Sequence, residues 1–254
     1  MSAPKKIAVA GATGRVGRHL VDVLEAQGHE VAAMSRARGV DVITGEGLAE
    51  AVAGAQAIVD AATGPSPDEQ AATEFFTTAA RNLQAAGEQA GVERIVVVSI
   101  IGSDRFAGGY GAAKVAHEQA TLSGAISARV LRAAQFHEFV AQLVEWGARG
   151  DATYVPRMRT QLVAARTVAE ALADLATTSN GTQAPILELA GPRAESLVEM
   201  AKLLAARRGD PAPIEAPSDP SDPDQRVWAS GGLLPGPDAI LAGPTFEAWL
   251  DEAA

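Results

Sequence analysis

The 254-residue chain contains no cysteine, which excludes disulfides, thiolate metal sites and cysteine nucleophiles together. Aromatic residues are only 4% of it, with two tyrosines, and its four histidines are too few and too scattered to suggest a metal centre. Long apolar runs are missing as well. Stretches such as Ile95–Val98 fall far short of the roughly 20 residues that cross a bilayer. Two lysines near the start lead straight into an expected strand and a glycine loop, without the apolar segment of a signal peptide, so a cytoplasmic protein is expected. Basic residues are in deficit, 21 against 31 acidic, for a formal net charge of -10. Such a chain has no surplus of Lys and Arg for binding a phosphate backbone, so no nucleic-acid partner is expected. What is present is hydrophobic content of 47%, including 54 alanines, with 20% charged residues. That composition describes a folded, fully cored protein.

The first 150 residues alternate short Val/Ile-rich runs with Ala-rich helical stretches. Expected strands are Ile7–Ala10, Glu30–Ser35, Val40–Thr44, Ala57–Ala62, Arg94–Ile101 and Ala128–Arg132. Expected helices are Arg15–Gln27, Leu48–Ala53, Glu69–Ala90, Gly111–Leu122 and Phe136–Ala148. Continuous β-branched runs separated by helix-length segments imply a parallel sheet covered on both faces, the doubly wound α/β plan. After residue 150 the pattern thins. Tyr154–Pro156, Leu162–Ala164 and Ile186–Leu189 read as short strands, and Val168–Ala176, Leu197–Arg208 and Phe246–Leu250 as helices. Five prolines between Pro211 and Pro223 make that stretch extended or mobile, and its neighbouring Asp219, Asp222 and Asp224 read as solvated rather than metal-binding. The expected organisation is a dinucleotide-binding core over 1–150 and a dependent lobe over 151–254, too small to fold alone.

The strongest motif is Gly11-Ala-Thr13-Gly14-Arg15-Val16-Gly17, directly after the first expected strand and opening the first helix. Glycines there allow a sharp turn and close approach of backbone to a pyrophosphate, and the helix N-terminus offers N–H groups to the phosphates. An acidic residue ending the second strand would repel a ribose 2′-phosphate. This chain instead has Ser35-Arg36, with Arg38 and Arg15 nearby, a set suited to a phosphate and hence to NADP(H) over NAD(H). Tyr110 and Lys114 stand four apart on one helix face. An ammonium close to a phenol favours tyrosinate and brings its pKa towards the working range for proton transfer. His117, three residues further on, reads as a surface residue. His19 and His29 read as structural or solvated, His137 as a candidate substrate contact, and Phe139, Trp146 and Tyr154 as core or pocket lining.

Gly11-Ala-Thr-Gly14-x-x-Gly17, Val96-Val-Val-Ser99-Ile-Ile-Gly102, Tyr110-Gly-Ala-Ala-Lys114, Leu131-Arg-Ala-Ala-Gln135-Phe136, Ala190-Gly-Pro192 and the terminal Phe246–Leu250 segment together resemble the atypical and extended short-chain dehydrogenase/reductases. The likeness is strongest to the NmrA-like NAD(P)-binding family and covers nearly the whole chain. It implies a Rossmann-type fold with a small C-terminal substrate lobe. It implies Tyr110 as proton donor, Lys114 on the nicotinamide ribose and Ser99 orienting the substrate carbonyl, with Ser103 as a rival. Glu46 would contact adenine, Ala62 would border the cofactor, and Gln135 and Phe136 would line the nicotinamide pocket. The expected activity is NADP(H)-dependent reduction of a small apolar carbonyl, enone or quinone by a monomer or a homodimer. A non-catalytic NADP(H) sensor is the alternative, and a nucleotide-sugar epimerase or dehydratase is less favoured because the C-terminal lobe is small.

Overall fold

The computed structural model describes residues 3–178, 184–217 and 223–252. Strands β1 (Lys6–Ala10), β2 (Glu30–Met34), β3 (Ala57–Asp60), β4 (Arg94–Ile100) and β5 (Ser127–Ala133) alternate with helices α1 (Arg15–Ala26), α2 (Leu48–Val52), α3 (Glu69–Ala90) and α4 (Gly109–Leu122). There follow α5 (His137–Gly147), β6 (Ala148–Arg149), β7 (Ala152–Tyr154), β8 (Arg159–Thr160), α6 (Ala165–Thr177), β9 (Ile186–Ala190) and β10 (Glu195–Ser196). The chain closes with α7 (Leu197–Arg208), β11 (Ile214–Glu215), α8 (Pro223–Ser230), β12 (Ile240–Leu241) and α9 (Phe246–Glu252).

The main sheet runs β12-β9-β5-β4-β3-β1-β2. The β1–β2, β1–β3, β3–β4 and β9–β12 pairs are parallel. β1 is flanked by β2 on one side and β3 on the other, so the chain reverses its direction of winding at β1. Crevices for ligands in such sheets open at the carboxyl ends of the strands on either side of that reversal. The loop after β1 is therefore the predicted position for a dinucleotide.

The chain forms two compact units that interleave along the sequence. One comprises Met1–Ser99, Gly108–Arg132 and Val168–Leu187; the other comprises Ile100–Ala107, Ala133–Thr167 and Glu188–Ala254. The sequence suggested a single cut near residue 150 instead. A cut there separates α6 from its unit, although Lys5 Nζ donates to the Thr177 carbonyl and Arg94 donates to the Leu175 carbonyl at the end of that helix. In the first unit Ile7, Ala8, Val9 and Ala10 are fully buried, as are Ile58 and Val59. The fully apolar strands predicted a sheet covered on both faces, and this burial is its consequence. α3 begins where the Asp68 carboxylate accepts the Ala71 N–H and ends at Gly91, whose φ of 71° stops the helix. The second unit has its own core around Val140, Val155, Leu162, Leu197, Leu233 and Phe246.

Several sequence expectations change. Val40–Thr44 is a turn, not a strand. Asp41 Oδ1 accepts the Ile43 N–H at 2.7 Å and the Thr44 N–H, while Asn82 of α3 donates to the carbonyls of Val42 and Ile43. These backbone groups are thus used by side chains and are not available to a ladder. Leu162–Ala164 contributes only an isolated bridge from Val163 to Phe136. Within the proline-rich stretch, Ile214–Glu215 pairs with Thr153–Tyr154 as β11, and Asp224 Oδ1 accepts the Ala107 N–H. Asp219 and Asp222 lie outside the described residues. No helix among the described residues is long and apolar enough to cross a membrane.

Candidate dinucleotide and proton-transfer site

The glycine loop is built by close contacts that only glycine tolerates. Gly11 has φ +71°, and a Cβ on it would lie 2.5 Å from the Ala61 carbonyl oxygen. A Cβ on Gly17 would lie 2.1 Å from the Gly11 carbonyl oxygen, which fixes how tightly α1 seats against the loop. Gly14 caps α1 with no side-chain bond, and the first intrahelical bond runs from the Arg18 N–H to the Gly14 carbonyl at 3.1 Å. The N–H groups ahead of that bond have no partner within the helix and carry the positive end of its dipole. Thr13 is exposed, Arg15 half-buried and Val16 buried beneath them. A helix N-terminus behind a glycine loop of this kind is an arrangement that could hold a pyrophosphate.

At the end of β2, the Ser35 hydroxyl oxygen is buried and has no hydrogen-bond partner among the described residues. A short 3₁₀ turn, Arg36–Arg38, follows it with both guanidinium groups exposed. The strand thus ends without a carboxylate, and two exposed arginines follow it. Ala62 is buried after β3, where its N–H donates to Asp60 Oδ1 at 2.9 Å. Glu46 is exposed in the turn that precedes α2.

The α4 face carries Tyr110, Lys114 and His117, spaced i, i+4 and i+7, and all three pack around Phe76 of α3. Tyr110 meets the Phe76 ring edge-on at 5.7 Å, His117 stacks on it at 4.6 Å and 16°, and the Lys114 ammonium lies 4.3 Å from its centroid. Tyr110 is half-buried. Burial raises its pKa above 10.0, opposed by a hydrogen bond with the Thr63 side chain. This corrects the expectation that Lys114 lowers the Tyr110 pKa. Lys114 is only 5% exposed. Its Nζ donates to the Val98 carbonyl at 2.8 Å and lies 3.0 Å from His117 Nδ1. Burial brings it down to about 8, with Asp60 and then Glu118 opposing. Ser99, near the end of β4, is buried with its hydroxyl unpartnered among the described residues.

Other expectations change on burial. His117 is 1% exposed, not a surface residue, because its Nε2 lies 2.9 Å from the Asp60 carboxylate. The candidate substrate contact His137 is fully buried in the second unit, bonded through Nε2 to the Pro244 carbonyl and packed on Phe246 and Trp249. Burial holds that imidazole at about 4. Trp146 is 64% exposed and is not part of the core. In the second unit the Gln135 amide oxygen accepts from Thr160, and Phe136 caps α5. Asp60 and Phe76 were missed in the sequence. The i, i+3 spacing from Lys114 to His117 and an acid at a strand's carboxyl end were the signals that could have found the buried cluster.

Residues 11–137, half of the chain, match the NAD(P)H-binding family, and the chain belongs to it. A comparison with curated proteins finds no match. Similar solved structures include a short-chain dehydrogenase/reductase superfamily protein from Agrobacterium tumefaciens with bound NAD. It is 18% identical, with 98% of this chain and 95% of that one covered and a TM-score of 0.68. The dTDP-4-dehydrorhamnose reductase of Bacillus anthracis in complex with NADP is 16% identical, covering 99% and 98% with a TM-score of 0.71. The NADPH-dependent quinone oxidoreductase of Escherichia coli complexed with NADPH is 18% identical, covering 97% and 99% with a TM-score of 0.69. At these identities the likeness is one of fold: a Rossmann-like α/β protein of the nicotinamide-dinucleotide-binding kind.

Proposed function

We propose that this chain is an NADP(H)-dependent reductase acting on a small, largely apolar carbonyl, enone or quinone, with Tyr110 as proton donor. The observation that carries this reading is the half-buried phenol of Tyr110 at the start of α4. Its pKa is raised by burial, so it is fully protonated at neutral pH and able to donate. The nicotinamide ring, when bound, supplies the hydride. Everything else belongs to the protein. The glycine loop and the first turn of α1 hold the pyrophosphate, and Ser35, Arg36 and Arg38 take the 2′-phosphate. Ser99 offers its unpartnered hydroxyl to the substrate oxygen. Tyr110 gives its proton to that oxygen as negative charge develops, and Thr63 donates a hydrogen bond to the phenolate left behind.

One observation favours a second reading. Lys114 is occupied by the Val98 carbonyl and His117, which suits an NmrA-like protein that binds NADP(H) as a sensor without turning over. Consumption of NADPH and NADH against a panel of quinones, enones and ketones separates the two. The reductase reading expects turnover with NADPH exceeding that with NADH. Tight NADPH binding with no consumption across the panel would replace it with the sensor.

A further inference from the structure

We infer that Asp60 and His117 act as positioning residues: Asp60 locks the His117 imidazole in its Nε2–H tautomer, and the Nδ1 lone pair so exposed fixes the Lys114 ammonium beneath α4. Asp60 closes β3, and its two carboxylate oxygens have separate tasks. Oδ1 accepts the Ala62 N–H at 2.9 Å, and Oδ2 lies 2.9 Å from His117 Nε2. Asp60 and His117 are 2% and 1% exposed, so no solvent competes. A carboxylate is acceptor-only, which makes Nε2 the protonated nitrogen and Nδ1 the acceptor. Lys114 Nζ, 3.0 Å from Nδ1, is the donor that meets it. Its other contacts are the Val98 carbonyl of β4 and the Phe76 ring of α3.

The charges around the ammonium come from three elements. Asp60 faces it from β3, and His117 and Glu118 from α4 itself. Glu118 is in turn held by Arg132 of β5 through two bonds of 2.9 and 2.7 Å. Burial, and then the Lys114 charge, lower the His117 pKa against the Asp60 hydrogen bond. The imidazole is thus neutral and carries one proton. For Asp60, burial acts to raise the pKa, but the His117 hydrogen bond leads a set of influences that together lower it. Asp60 and Lys114 thus stand on either side of a neutral, oriented imidazole, with the Glu118–Arg132 ion pair beside them, which is how a lysine can be charged at 5% exposure. A consequence for turnover rests on the reductase reading above; the tautomer does not.

The test is nitrogen NMR of the full-length protein labelled at histidine, with lysine methylene titration, without cofactor. The His117 signal is assigned by its loss in His117→Gln. Unmodified protein is expected to show His117 as the Nε2–H tautomer. In Asp60→Asn the amide oxygen keeps the Ala62 N–H, so the amide nitrogen faces Nε2 and donates to it. The imidazole is then expected to switch to Nδ1–H. The titration midpoint of Lys114, about 8 in the unmodified protein, is expected to fall by about one unit or more as it loses both an acceptor and a countercharge. An Nδ1–H tautomer in the unmodified protein overturns the inference without any variant. So does an Asp60→Asn protein in which neither tautomer nor midpoint changes. Absence of NADPH turnover with the expected tautomers removes the reductase reading and leaves this one standing.

Discussion

His137 and Tyr110 illustrate how burial alone redirects a titratable group. An ordinary histidine takes up its proton near 6.5, yet His137 is held at about 4 by burial, with the Pro244 carbonyl opposing. The folded-state value lies below the unfolded one, so the unfolded chain takes up more protons between pH 6.5 and 4. Stability from this group is present above pH 6.5 and is lost as the pH falls towards 4, by up to about 3 kcal/mol. Thermal unfolding between pH 7 and 4.5 should show a falling Tm. That fall should be shallower in His137→Gln, which retains an amide donor for the Pro244 carbonyl; an unchanged slope would remove His137 as its source. Sequence could not reveal this burial, because His137 sits between Phe136 and Glu138 at an expected helix start that looks accessible.

Elements were more legible than contacts. The 22-residue α3 (Glu69–Ala90) and the 12-residue α7 (Leu197–Arg208) begin and end where the sequence placed them, because an acidic cap and terminal glycines mark their ends. The lost strand at Val40–Thr44 shows the limit: its β-branched residues suggest a ladder, but Asp41 and Asn82 take the backbone groups. The glycine loop lies between these cases. Its spacing announces the turn, whereas the 2.1 Å approach behind Gly17 exists only in three dimensions. Gly17→Ala must therefore push α1 from the loop. Overpacking of this kind costs about 1–3 kcal/mol, and calorimetry should record a Kd for NADPH raised more than about tenfold. A variant that binds as the unmodified protein does would show that the loop does not hold the pyrophosphate.

On the scale of the whole molecule, a net charge of -10 opposes a polyanionic ligand, so affinity has to come from local positive charge. The arginines at the end of β2 are exposed and face solvent, where charge-assisted bonds contribute about 1.5–3 kcal/mol. The double variant Arg36→Ala/Arg38→Ala should weaken NADPH by about tenfold or more, leave NADH nearly unchanged, and flatten the salt dependence of NADPH binding. Equal losses for both dinucleotides would make these ordinary surface charges. The Asp60–His117–Lys114 cluster was hidden at this scale, since it joins β3 to α4 across 57 residues of sequence.

Proton donation by Tyr110 is the claim on which the proposed activity turns, and initial rates of NADPH oxidation in Tyr110→Phe beside the unmodified protein test it most directly. The phenylalanine keeps the packing against Phe76 and removes only the hydroxyl. The account expects turnover to fall by about 100-fold or more while the Kd for NADPH stays the same. Equal rates in the two proteins would contradict it.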